Sequence, residues 1–253
     1  MMKRFIFSIF LLPLLLASPQ TKAQGIMLTP KWTAQAQFTG YYVADKLGFY
    51  KEEGIDVCVQ HPAISESSFS FMEKGRAPVV IMNLSYAFME RLAGARVVNV
   101  MQTSQENSLM LISHSPLKGE ESLRNQKIAV WNHLSQKLLD RLAEHYALKQ
   151  VEWIRFNSGV NVFLSGAADP CLVGSYNEYL QLSEYGMNVD SIYSIRLADY
   201  GYNLPEDGLY VTEEFYNQYP EVVRKLVKAS MRGWAWANEH REEALDMVME
   251  EVK

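Results

Sequence analysis

The residues best suited to chemistry here are aromatic rings, amides, hydroxyls, one histidine and one carboxylate: Trp32, Gln35, Gln37, Tyr41, His61, Asn83, Ser85, Trp131, Asn132, Asn157, Tyr176 and Glu178. Neither Lys nor Arg is in this set. A carboxylate, sulfonate or phosphate ligand is usually met by Arg or Lys. The set suits a small neutral or weakly basic heteroaromatic molecule instead, stacked on Trp or Tyr and held at its edges by Asn, Gln and Glu. Each aromatic pair adds about 0.5–1.5 kcal/mol beyond area burial.

Each residue also has a plainer use. Trp32 can pack in a hinge core, and of Tyr41 and Tyr42, both inside one expected helix, one should face the core. Asn83 and Ser85 can cap a helix. Glu178, with Tyr176-Asn177-Glu178-Tyr179 opening a helix, can be a first-turn acid favoured by the helix dipole.

Catalysis and metal binding find little support. His61, His114, His133, His145 and His240 are scattered without metal-ligand spacing, and there is no HExxH, CxxC, GxSxG, P-loop or GxGxxG motif. His61, at a strand's carboxyl end, has no evident partner for general-base work. No catalytic residue, metal or cofactor is therefore expected. Cys58 and Cys171 are too far apart in sequence for a disulfide framework, and both read as free buried thiols.

These side chains must be carried by alternating strands and helices. Strands are expected at 26–32, 55–60, 79–82 and 97–101, with helices at 38–47, 65–74 and 85–93. Gly48, Gly75 and Gly94 close the helices, as residues that accept a left-handed backbone. Such alternation implies parallel pairing. After an isolated strand at 109–113, a second set follows: strands at 127–131, 151–156 and 170–173, and helices at 135–147, 160–165 and 176–185. Strands at 191–197 and 209–212 flank a turn built from Pro205, Asp207 and Gly208. The remainder, 220–240 and 241–253, is helical, with Pro220 in a first-turn position and Val223, Leu226, Val227, Ser230 and Trp234 spaced to face a core. The expected division is lobe one over 24–105, lobe two over 106–205, and a return segment with C-terminal helices over 206–253. In open α/β sheets, ligands sit at the carboxyl edge of the strands, where the loops carrying the candidate residues lie.

Residues 1–23 read as an export signal. Lys3 and Arg4 precede an apolar run over 5–17, and Thr21-Lys22-Ala23 offers a cleavage site near Ala23. The run is too short to span a bilayer, which takes about 20 apolar residues. Cleavage would leave 230 of the 253 residues and take the formal charge from −5 to −8, since three basic and no acidic residues are removed. An acidic chain without a basic stripe is a poor partner for nucleic acid. A periplasmic location is expected.

The segment 32–57 (WTAQAQFTGYYVADKLGFYKEEGIDV), the stretch Gly166-Ala167-Ala168-Asp169, Tyr176-Asn177-Glu178-Tyr179, and Pro205-Glu206-Asp207-Gly208 followed by Gly233-Trp234 together resemble the NMT1/THI5-like (SsuA/THI5) family. The resemblance implies a type II periplasmic-binding-protein fold: two α/β lobes, a central ligand cleft and a two-strand hinge. It also implies a binding role with a small-molecule ligand such as a thiamine-pyrimidine precursor, delivered to an ABC permease. The family's other role, the ligand-sensing part of a membrane receptor, is the alternative. Trp32 matches the family's cleft tryptophan, and Tyr176 with Glu178 its second-lobe cleft motif. Pyrimidine-synthase members consume a lysine-bound pyridoxal phosphate and carry a cysteine-rich motif. This chain has no Lys between Lys51 and Lys74 and only two Cys, so that chemistry is not expected.

Overall fold

The computed structural model describes residues 25–63, 65–118, 123–131, 140, 143–144 and 150–253. The expected export signal, Asn132 and most of the expected helix at 135–147 lie outside these.

The chain opens with β1 (Ile26–Thr29), α1 (Thr39–Lys46), α2 (Phe49–Glu52), β2 (Val57–Val59), α3 (Ser68–Glu73), β3 (Val79–Asn83), α4 (Leu84–Leu92) and β4 (Val97–Gln102). Next come β5 (Leu109–Ser113), β6 (Lys127–Trp131), β7 (Glu152–Phe156), α5 (Asn161–Leu164), β8 (Cys171–Gly174), α6 (Glu178–Glu184) and β9 (Tyr193–Arg196). The last described elements are β10 (Asp207–Thr212), α7 (Glu213–Gln218), α8 (Pro220–Glu239) and α9 (Arg241–Glu251).

The strands form two five-stranded sheets, ordered β2-β1-β3-β10-β4 and β7-β6-β8-β5-β9. In the first, β1 runs parallel to β2 and β3, while β10 is antiparallel to β3 and β4. In the second, β6 is parallel to β7 and β8, and β5 is antiparallel to β8 and β9. The parallel pairing expected of the alternating strands holds for β1 with β2 and β3 and for β6 with β7 and β8; β10, which re-enters the first sheet after the second, runs antiparallel to its neighbours.

Period-two alternation gives sheet one a separate core on each face. Val79, Ile81, Leu209 and Val211 pack on one side with α1 and α8, and Val80, Met82 and Tyr210 on the other with Phe71 and Ala87. Burying a side chain the size of Leu28, Ile81 or Leu226, each 0% exposed, stabilises the fold by about 1.5–3 kcal/mol. Lobe two has its own core around Ile112, Ile128, Phe163, Val173 and Leu182.

Helix α8 buries Val223, Leu226, Ala229, Ser230, Gly233 and Ala237, and Pro220 begins it. It crosses α1 so closely that a β-carbon at Gly40 would run into the Trp234 indole, and one at Gly233 into the Gly40 carbonyl oxygen. At Gly48 the backbone takes φ 76°, which lets α1 end and α2 begin within two residues.

Residues 103–108 and 197–206 carry the chain between the sheets, and hydrogen bonds knit them together. The Thr103 and Ser104 amides donate to the Asp207 carbonyl, each at 3.0 Å. The Asn107 amide donates to Asn203 Oδ1 at 3.0 Å. The Ser108 amide and hydroxyl donate to Glu206 Oε1 at 3.1 and 3.0 Å.

Other departures have local causes. Strand β1 stops at Thr29 rather than residue 32, because Pro30 has no N–H for the ladder, so Trp32 lies in the loop beyond it. Asp207 and Gly208, expected in a turn, are strand residues paired with Asn83 and Met82. Cys58 is exposed, not buried: it sits on edge strand β2, where Val57 takes the inward position. The short helices α2 and α7 were not expected.

Candidate functional site

In lobe one, the carboxyl ends of β1 and β3 and the start of β10 come together. Asp207 pairs with Asn83 in the sheet register, and Lys31, just past β1, reaches both. Its ammonium forms an ion pair with Asp207 Oδ1 and donates to Asn83 Oδ1 at 2.6 Å. Gln37 Nε2 donates to the other Asp207 oxygen at 3.3 Å. The side chains of Lys31 and Asp207 are only 19% and 8% exposed. Burial alone lowers the Lys31 pKa. The Tyr176 hydroxyl and the Asp207 and Glu206 carboxylates more than reverse this, leaving it above the usual lysine value.

Beside this cluster, His61 clamps the amide loop. Its Nδ1 lies 2.6 Å from the Trp32 carbonyl oxygen and its Nε2 2.8 Å from the Tyr42 hydroxyl. A carbonyl can only accept, so Nδ1 carries the proton and Nε2 accepts from Tyr42. The Gln35 amide donates to the Tyr42 oxygen at 3.3 Å. Burial lowers the His61 pKa, more than its bond to Trp32 raises it, which suits this neutral tautomer.

In lobe two, Trp131 ends β6 and Glu178 opens α6. The Trp131 indole N–H donates to Glu178 Oε1 at 3.0 Å, and the Gly174 amide donates to Oε2 at 3.1 Å. Asn177 Nδ2 is 3.4 Å from Oε1. Glu178 is 5% and Trp131 9% exposed, whereas Tyr176 keeps 42% of its surface open. Packing around the Tyr176 hydroxyl pushes its pKa up to about 12, opposed by the charge of Lys31. The Glu206 carboxylate, next to Asp207, accepts from Ser108, and the Ser108 carbonyl accepts from the Ser175 amide beside Tyr176, which links the two lobes at this point.

The structure therefore gathers Trp131, Tyr176 and Glu178 at one edge, Gln37 and Asn83 around Lys31 and Asp207 at the other, and Trp32 and Gln35 in the loop that His61 clamps. Tyr41 is 1% exposed and lies in the lobe-one core, its ring edge-on to Trp234 at 5.9 Å. Ser85 is half-buried in the first turn of α4, and Asn157 is exposed just beyond β7. The Asn83 side chain does not cap α4; Lys31 takes its oxygen.

The residues that sequence reasoning passed over are Lys31, Glu206 and Asp207. Pro30 was the available signal for Lys31, since a strand ended there puts the lysine on the sheet edge. Among the described residues no group of three or more His, Cys, Asp and Glu is placed to hold a metal ion. No described helix is long and apolar enough to cross a membrane.

Residues 35–244 match the family model described as "NMT1/THI5 like". The chain belongs to the NMT1/THI5-like family. Similar family relatives include the riboflavin-binding protein RibY of Chloroflexus aurantiacus, 28% identical over 91% of this chain and 67% of its own. The formylaminopyrimidine-binding protein of Halalkalibacterium halodurans is 24% identical over 98% of this chain and 79% of its own. Among solved structures, the periplasmic aliphatic sulphonate binding protein SsuA from Escherichia coli superposes with a TM-score of 0.70 at 14% identity, covering 90% of this chain and 78% of that one. The alkanesulfonate-binding SsuA from Xanthomonas axonopodis, bound to MOPS, gives 0.64 at 12% identity over 89% and 78%. These likenesses show an α/β fold of two lobes, that of periplasmic binding proteins. Membership of the NMT1/THI5-like family carries its general solute-binding role.

Proposed function

We propose that this chain is an extracytoplasmic solute-binding protein that closes two lobes on a small neutral or weakly basic heteroaromatic ligand and delivers it to an ABC permease. In this reading residues 1–23 direct export to the periplasm, and the knitted segments 103–108 and 197–206 act as the hinge of a type II periplasmic-binding-protein fold. Ligand touching both lobes shifts the open–closed equilibrium by its differential affinity.

One observation carries the ligand class. Glu178 is buried, yet the partners that hold it are the neutral N–H groups of Trp131, Gly174 and Asn177. A carboxylate offers about four lone-pair sites, so capacity remains for an N–H of a ring or exocyclic amine. The open Tyr176 ring beside it supplies a stacking face. The named ligands of two relatives, riboflavin and formylaminopyrimidine, are heteroaromatic too, and a thiamine-pyrimidine-precursor-like compound is the first candidate. A dissociation constant of 1 µM corresponds to about −8.2 kcal/mol, which stacking and a few satisfied edge hydrogen bonds can supply.

Thermal-shift screening of the mature protein against pyrimidines, flavins, alkanesulfonates and carboxylates tests this reading. Stabilisation by the heteroaromatic compounds is expected; stabilisation by the acids alone would reject it. Mass spectrometry of small molecules released by mild denaturation identifies any ligand carried through purification.

A further inference from the structure

We infer that Lys31 is a specificity-determining residue whose ammonium, neutralised by Asp207, donates to an uncharged acceptor on the ligand and that the Asp207 counter-charge is what keeps anions out. This rests on the proposed solute-binding reading and adds the atom-level preference of its lobe-one half.

Three observations carry it. First, an ammonium has three N–H donors, and two are taken, by Asp207 Oδ1 and Asn83 Oδ1. The third is left for an acceptor such as a carbonyl or ring nitrogen. Second, Lys31 is held, not free to swing. Its two partners sit opposite each other on β3 and β10, Gln37 braces Asp207 from the far side, and the side chain is 19% exposed. Third, the Glu206 carboxylate, next in the chain to Asp207, accepts from the Ser108 amide and hydroxyl, and the Ser108 carbonyl accepts from the Ser175 amide, the neighbour of Tyr176 in lobe two. The donor is therefore presented where the lobes meet.

The local charge balance then decides the ligand class. Lys31 and Asp207 cancel. Glu206, next in the chain to Asp207 and bonded to Ser108, and Glu178 in lobe two add negative charge. A sulfonate or carboxylate entering this field meets a lysine already paired and a net acidic surround. A neutral heterocycle with a carbonyl or ring nitrogen at one edge and an N–H at the other meets Lys31 and Glu178 with the matching groups. The fold is shared with sulfonate binders, so the discrimination lies in these side chains and not in the architecture.

The test is isothermal titration calorimetry on the mature full chain, with riboflavin and 4-amino-2-methylpyrimidine as neutral probes and ethanesulfonate as the anionic one. Lys31→Met should weaken whichever neutral probe the parent binds by at least about tenfold, the typical effect of losing a hydrogen bond to a charged group. Asp207→Asn unpairs the lysine and should raise ethanesulfonate affinity by about tenfold or more over the parent. The double variant K31M/D207N should abolish that gain. Equal neutral-probe affinity in parent and K31M overturns the donor role, and no sulfonate gain in D207N overturns the counter-charge role. The K31M arm is read with whichever neutral probe the parent accepts, and the D207N arm with ethanesulfonate. A parent that binds only ethanesulfonate rejects the proposed ligand class itself, a result distinct from either variant outcome. Circular dichroism of each variant establishes that it is folded before titration.

Discussion

The Trp131 indole and the Glu178 carboxylate meet at 3.0 Å in a place where each is less than a tenth exposed. One residue ends a strand and the other starts a helix 47 positions later, so this bond fixes how α6 leaves the sheet edge. It also aims the second carboxylate oxygen at the Gly174 amide.

Replacing Glu178 with Ala should take the carboxylate acceptor away from two buried N–H groups, on Trp131 and Gly174. Each costs about 1–3 kcal/mol. A double-mutant cycle with Trp131→Phe should return a coupling of about 1.5–3 kcal/mol, the range for hydrogen bonds to charged groups. Urea denaturation measures it, and strictly additive single-mutant effects would remove the bond from the account.

The crossing of α1 and α8 sets a second prediction. Gly233→Ala gains about 1 kcal/mol of helix propensity, yet the new methyl would collide with the Gly40 carbonyl oxygen and stand 2.9 Å from Ala44 Cβ. Overpacking costs about 1–3 kcal/mol and more where backbone must move. The collision should win, with a lower denaturation midpoint; an unchanged or raised midpoint would show that the helices separate freely.

His61 makes stability depend on pH in a definite sense. Burial holds its folded pKa below the ordinary histidine value of about 6.5, so between those two values the unfolded chain binds more protons than the folded one. Stability from this group is present in full above about pH 6.5 and declines as pH falls through that value toward the folded pKa. Protonation also removes the Nε2 lone pair that accepts from Tyr42. Thermal melts from pH 7.5 to 5 should show this decline, and His61→Gln should flatten it. An identical slope in the variant would assign the pH dependence elsewhere.

The two thiols should separate cleanly by reactivity. Cys58 is exposed, while burial pushes the Cys171 thiol up to about 12. Only thiolate attacks electrophiles at a useful rate, so brief iodoacetamide treatment of the native protein should add one carbamidomethyl group, at Cys58. Peptide mapping checks the position, and Cys171 should be labelled only after denaturation.

Much of the scaffold was legible because apolar runs end where turn residues begin. Strands β5 and β6 lie at 109–113 and 127–131 as read from the chain. The stretch around residue 205 was not legible in the same way. Pro205-Glu206-Asp207-Gly208 has the composition of a turn, but the backbones of Asn83 and Gln102 wait on either side, and ladder hydrogen bonds outweigh local preference. The Lys31–Asp207 pair was invisible for a related reason. Nothing near either residue announces the other, and the pairing arises only once β10 is inserted between β3 and β4. Cys58 shows the reverse case: an unpaired Cys is commonly core, but alternation along Val57–Val59 turns this one outward on an edge strand.

Strand β10 lies inside the first sheet, between β3 and β4, but is made after the whole of the second. The second sheet is therefore built from one uninterrupted stretch of chain, while the first needs two. On the ribosome, the sheet that begins the molecule is also the last to be finished.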